Sequence, residues 1–109
     1  MATGLFKNAK VAGASTTGTT LYTVPSGKYA TIHAIHCVNK YNLEDLYVNI
    51  EIIDTSSNAF YVAYLLPVTA NIPTVLERPI NLNDQEVLKV TASRATSIDV
   101  VASVLEFTP

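Results

Sequence analysis

His33 and His36 stand in the spacing His-x-x-His, which on a helix would bring two imidazoles to one face and onto one metal ion. On a strand, residues three apart face opposite sides, so the pair cannot chelate there. His36 shares the parity of nearby core residues and reads as a hydrogen-bonded core or rim histidine. Cys37 beside these histidines could suggest a thiolate nucleophile, but neighbouring strand positions point apart, which leaves a buried structural cysteine. Gly13-Ala14-Ser15-Thr16-Thr17 resembles half of a nucleophile elbow without its closing glycine. Ser26-Gly27-Lys28 has a phosphate-loop flavour, yet Tyr22 and Tyr29 occupy the positions of the first glycine and the Ser/Thr. It reads as a turn.

Carboxylates pair at Glu44 and Asp45 and at Asp84 and Glu86, as a glycosidase or a calcium loop would need. Asn81, Asn83, Asp84 and Glu86 form the most oxygen-rich turn but are too few for a calcium cage. Six tyrosines could make a sugar platform, with Tyr41, Tyr47, Tyr61 and Tyr64 the accessible ones, although only two arginines accompany them. No catalytic, cofactor or metal residue emerges, and the expectation is a protein that is not an enzyme.

The composition agrees. Among 109 residues 49% are hydrophobic and only 15% charged, against about 25% charged in an average domain. Threonine and serine replace the missing charge, and threonine suits a pleated surface. A net charge of -2 with no basic run gives no footprint for nucleic acid or anionic membrane. The amino terminus lacks the pattern of a secretory signal, so synthesis in the cytoplasm is expected. The single cysteine excludes an intrachain disulfide.

Any surface these residues form must be positioned by strands, because apolar residues recur with a period of two. Leu46, Val48, Ile50 and Ile52 point one way while Tyr47, Asn49 and Glu51 point the other. The same rule selects Ala30, Ile32, Ala34 and Val38, then Leu88, Val90 and Ala92, then Ile98, Val100, Ala102 and Val104 as core. Weaker strands span Leu5 to Val11, Leu21 to Val24, Ala59 to Leu66 and Val75 to Leu82. About eight short antiparallel strands separated by turn signals predict an all-β fold, a single β-sandwich of jelly-roll or Greek-key type. Residues 1–19 read as an N-terminal arm and Gly/Ser/Thr linker, and residues 20–109 as the sandwich.

Three runs break the one-face pattern. Ala59 to Leu66 is apolar on both sides, Val101, Leu105 and Phe107 oppose the core set of the last strand, and Ile35 and Cys37 oppose Ile32 and Ala34. A second apolar set needs a second cover, either a loop or the arm of the same chain or another subunit. Under the subunit reading Phe60, Tyr64, Val101, Leu105 and Phe107 are the interface residues.

From Thr20 to Thr108 the layout resembles small β-sandwich virion structural proteins of tailed bacteriophages. The resemblance lies in Leu21-Tyr22-x-Val24-Pro25-x-Gly27-Lys28 followed by a long strand, in Leu65-Leu66-Pro67 and in Pro79-Ile80-Asn81-Leu82. It also lies in the closing Leu88 to Ser93 and Ile98 to Ser103. Asn83-Asp84-Gln85 stands where family turns often carry Ala-Gly-Asp. The resemblance implies a non-enzymatic virion subunit, a capsid decoration or cement protein, or else a neck, tail or fibre component. It implies a homo-oligomer, trimer or dimer, partnered by the major capsid protein or other virion proteins. A carbohydrate-binding module built on the tyrosines is the reading from another class.

Overall fold

Alternation becomes sandwich here because each apolar face is too small to be covered by its own strand and must meet another sheet. The computed structural model describes residues 3–109; Met1 and Ala2, the start of the expected arm, lie outside them. These residues form nine strands and no helix: β1 (Thr3–Val11), β2 (Thr19–Thr23), β3 (Tyr29–Asn39), β4 (Leu46–Ile53), β5 (Ala59–Val68), β6 (Thr74–Leu76), β7 (Ile80–Leu82), β8 (Val87–Ala92) and β9 (Ile98–Thr108). The segment expected as one strand from Val75 to Leu82 is two, interrupted at Glu77-Arg78-Pro79, where proline can donate no ladder hydrogen bond.

One sheet runs β1-β9-β3-β6, with β7 also on β3, and the other runs β2-β8-β4-β5. The pairings nest. β4 pairs with β5, β3 with β6 and β7, β2 with β8 and β1 with β9, all antiparallel. This long folded hairpin then rolls up so that β9 also pairs with β3 and β8 with β4. That is the jelly-roll arrangement.

Between the sheets lie Ile32, Ile35, Val48, Ile50, Leu88, Val90, Ile98, Val100 and Val104, all fully buried. The expected core of β4, β8 and β9 is found there, except that Ile52 at the end of β4 is only half-buried. Strand β3 departs from expectation. Ala30 and Ile32 are buried, but beyond them Ile35, Cys37 and Asn39 are inside, whereas Ala34 is half-buried and His36 and Val38 are exposed. The cause is a bulge: Ile32 faces Val104 and Ala34 faces Ser103, so His33 has no partner on β9. One extra residue inverts the parity of the rest of the strand. Ala34 and Val38 are therefore corrected from core to outer face, and Ile35 and Cys37 from outer face to core.

Loops are tied by side chains. Buried Asn39 donates to the carbonyl oxygens of Glu44 and Val68 and accepts from the Tyr41 amide, closing the β3–β4 connection. The Pro25 to Lys28 turn carries Gly27 at φ 80°, with the Lys28 amide donating to Pro25, as a type II turn requires of its third residue. The Gly13 to Thr20 segment is fastened to the body. Gly13 N–H donates to Asp99 Oδ1 at 2.8 Å, Ala14 is buried and bonds to the Ile98 carbonyl, and the Ala92 amide donates to Ser15.

Deleting His33 should remove the bulge yet leave Ile35 and Cys37 inward, because Ile32 and Ala34 already face the consecutive residues Val104 and Ser103; cooperative folding by circular dichroism and urea titration is expected to survive. His33→Ala, which keeps the residue count, is expected to change stability by less than about 0.5 kcal/mol.

Candidate interaction surface

The two outer faces differ in composition. On the second sheet the register sets Thr20, Lys89, Glu51 and Tyr61 in one row, Thr91 beside Asn49 in the next, and Thr23, Val87, Ile53 and Ala59 in a third, so charged and polar side chains alternate with apolar ones. The first sheet turns outward Phe6 and Leu105 as one facing pair, Tyr29 and Phe107 as another, His36 between Val101 and Val75, and Val38 beside Asp99. Phe6 is 77% exposed, and Tyr29, Val38, Val75 and Val101 are all exposed. Tyr29 stacks on Phe107 with centroids 6.1 Å apart, and Phe6 lies 6.2 Å from the His33 ring. Thr31, Ser103, Asn8 and Lys10 interleave with them. Mixed aromatic, aliphatic and hydroxyl side chains with few charges describe an interface centre.

Of the five residues singled out in the sequence, Val101, Leu105 and Phe107 share this face. Phe60 and Tyr64 lie elsewhere, on β5 at the edge of the second sheet. Two register shifts break the pairing of β5 with β4, and Leu65 takes φ 54° with its amide held by Asn49. The bulges leave Phe60, Tyr61, Tyr64 and Leu65 exposed together and make this edge a poor template for an added strand. The sequence missed Phe6, Tyr29, Val38 and Val75. Phe6 and Tyr29 each face an outward residue of β9, through a register that forms only in the fold.

The same bulge changes the argument about the histidines. His33 and His36 are both exposed, and the residues around them, Ala34 and Val38, point outward as well, so the inverted parity places the two imidazoles on one face instead of two. Among the described residues no group of three or more His, Cys, Asp or Glu could hold a metal. Asn81 accepts from Thr31, Asp84 from the Gly27 amide and Glu86 from the Asn83 amide, so these turn oxygens serve local structure. Ser15 lies in the fastened loop, hydrogen-bonded with Thr19. Tyr61 and Tyr64 meet edge to face at 4.9 Å, and Arg94 covers the Tyr41 ring at 3.8 Å. Cys37 is fully buried, and burial pushes its thiol up to about 11, which suppresses the reactive thiolate.

One polar cluster sits inside the sandwich. Glu106 continues the inward parity of Ile98 to Val104 and is only 3% exposed. Its carboxylate accepts from the Tyr22 hydroxyl of the opposite sheet, from Lys7 Nζ of β1 at 3.1 Å and from Lys28 Nζ at 3.4 Å. Tyr22's hydrogen bond, more than any other influence, holds this carboxyl below the usual range; burial opposes it, and the two ammonium groups add to it. Burial and the Glu106 charge push the Tyr22 hydroxyl up. The group thus ties the sheets to each other and β1 to both. Nothing in the sequence argument named it, although the parity of the last strand reaches residue 106.

No protein-family model matches the chain, and no curated protein matches it in sequence. Solved structures do share its fold. A chain of the infectious bursal disease virus T13 particle superposes with a TM-score of 0.60 at 10% identity, covering 96% of this chain and 31% of that one. This protein therefore spans about a third of that viral chain. A chain from the acid-stable capsid of the Helicobacter pylori bacteriophage KHP30 gives 0.55 at 19% identity, covering 100% and 94%. A chain from Bacillus endospore appendages, described as disulfide-linked pili, gives 0.58 at 11% identity, covering 99% and 90%. The likeness is one of fold, and these three chains come from two viral particles and a pilus.

Glu106→Gln should cost about 2 kcal/mol, as expected for loss of charged hydrogen bonds with partners that can relax into water. Because folding lowers the Glu106 pKa, its stabilisation is complete above the ordinary value of 4.5 and fades as pH falls through the lowered native value. Urea midpoints measured across acidic pH should fall more steeply for the wild type than for Glu106→Gln. In a separate measurement, iodoacetamide should label Cys37 only after denaturant unfolds the chain.

Proposed function

We propose that this protein is a non-enzymatic structural subunit of a virus particle, and that in the particle it is a decoration or cement protein on the head shell. The observation that carries the proposal is the outer face of the first sheet, which is apolar across β1, β9 and β3 where a sandwich that stands alone would be wetted. The sandwich shared with chains of two viral particles, one of nearly the same length, supports the setting. Val101, Leu105 and Phe107 then belong to the buried centre of a contact with a second copy, in a dimer or trimer, or with the major capsid protein. Phe60 and Tyr64 form a smaller, separate contact at the β5 edge.

A filament subunit is the second reading, favoured by the match to most of the endospore appendage chain. Disulfide linkage does not transfer with it, because the only cysteine is buried in the core.

Val101→Asp combined with Phe107→Ser should leave the fold intact, since both side chains point outward, while abolishing self-association or particle binding. Light scattering and co-sedimentation with particles measure this. A wild-type protein that is monomeric at all concentrations and absent from purified particles overturns the proposal. Density confined to the neck or tail of a particle replaces the decoration role with a tail role.

A further inference from the structure

We infer that β1 is an exchangeable strand: in the assembled state it leaves the β9 edge of its own sandwich and occupies the same edge of a second copy. The inference deepens the assembly reading above and rests on it.

Strand β1 is held to its sandwich chiefly by main-chain pairing with β9, from Thr3 opposite Thr108 to Val11 opposite Val100. Its side chains add little. The register turns Leu5, Lys7, Ala9 and Val11 inward, but Leu5 remains 56% exposed and only Ala9 and Val11 pack against the core. Lys7 supplies an ion pair with Glu106, and Phe6 lies on the outer face beside the His33 ring. Such a strand leaves few buried apolar contacts behind when it departs.

The hinge is equally well defined. Val11 is the last residue paired with β9, and Gly13 is already fixed to Asp99, which Lys40 also grips at 3.0 Å. Gly13 sits at φ 66° against the Thr96 backbone, whose Cα would lie 2.8 Å from an added Cβ, so the position admits no larger residue. Exposed Ala12 alone therefore joins a mobile element to a fixed one. The closed form makes its whole reversal at Ala12, and when Ala12 extends, β1 points away from its own β9. Short, tight hinges of this kind favour exchange over closure within one chain.

A second copy is the occupant that matches the vacated edge. It brings the same backbone register, the same Ala9 and Val11 for the rim of the core, and a Lys7 for the Glu106 carboxylate, which would otherwise keep only Tyr22 and Lys28. It also delivers Phe6 to Leu105 on the apolar outer face, so the exchanged strand and that face form one continuous contact. Every bond broken in one copy is remade in the next, which makes exchange a low-cost route to assembly.

The test uses facing residues on the exposed side of the pair, Asn8 and Ser103. Full-length Asn8→Cys and a mass-tagged Ser103→Cys are unfolded together, refolded, concentrated and oxidised mildly. Exchange predicts a mixed disulfide dimer between the two variants on a non-reducing gel, and none between Asn8→Cys and the exposed, non-facing Thr69→Cys. Buried Cys37 does not compete. A few Gly/Ser residues inserted after Ala12 should give β1 the slack to fold back, with loss of the mixed dimer. If oligomers form and yet the disulfide closes only within chains carrying both cysteines, exchange is overturned and the assembly reading stands. If no oligomer forms at any concentration, both fall.

Discussion

Strand β9 is paired along nearly its whole length with β1 on one side and β3 on the other, and the rest of the molecule depends on that double pairing. Its inward side chains, Ile98 to Val104, are the floor on which the second sheet rests, and its outward ones form the middle of the apolar surface. The pairing with β3 carries a bulge. Facing Val104 through Ile32 and Ser103 through Ala34, β3 must extrude His33 to keep Ile35 and Cys37 inside. A single strand thus sets the core, the outer surface and the local irregularity between them.

The inner face of β9 ends in a charge. Glu106 replaces what would be a fifth apolar layer and is satisfied by donors from both sheets and from the turn after β2. A buried carboxylate is costly unless fully partnered. Here the partners come from segments far apart in sequence, so the cluster is complete only when β1, β2 and β9 are all in place. Such a group specifies the arrangement of strands more sharply than another leucine would.

Alternation was enough to read β4, β8 and β9, where the extra residues of the broken ladders fall on the partner strands and the inward residues as far as Val104 are Val, Ile, Leu or Ala. The sandwich itself followed from those strands and the turn spacing. Strand β3 was misread beyond Ile32 because parity reasoning assumes an unbroken ladder, and nothing in Ile-His-Ala-Ile signals an extra residue. The argument separating His33 from His36 failed for the same reason. At the candidate surface, Val101, Leu105 and Phe107 were legible as a second apolar set on one strand. Their neighbours Phe6, Tyr29 and Val75 were not, since only long-range register brings them together. Phe60 and Tyr64 were grouped with them by composition, and β5 carries them to a different edge.

The nested hairpin has a geometric corollary. Because β1 and β9 run antiparallel in full register, Thr3 and Thr108 lie side by side, and the turns at Pro25 to Lys28, Asp54 to Asn58 and Asn83 to Glu86 gather at the same pole. Thr3 and Thr108 thus both lie at that pole, away from the Asn39 and Gly13 loops. A cargo displayed on either end would therefore project in one common direction, and a short bridge between the two ends would close the polypeptide into a ring without disturbing either sheet.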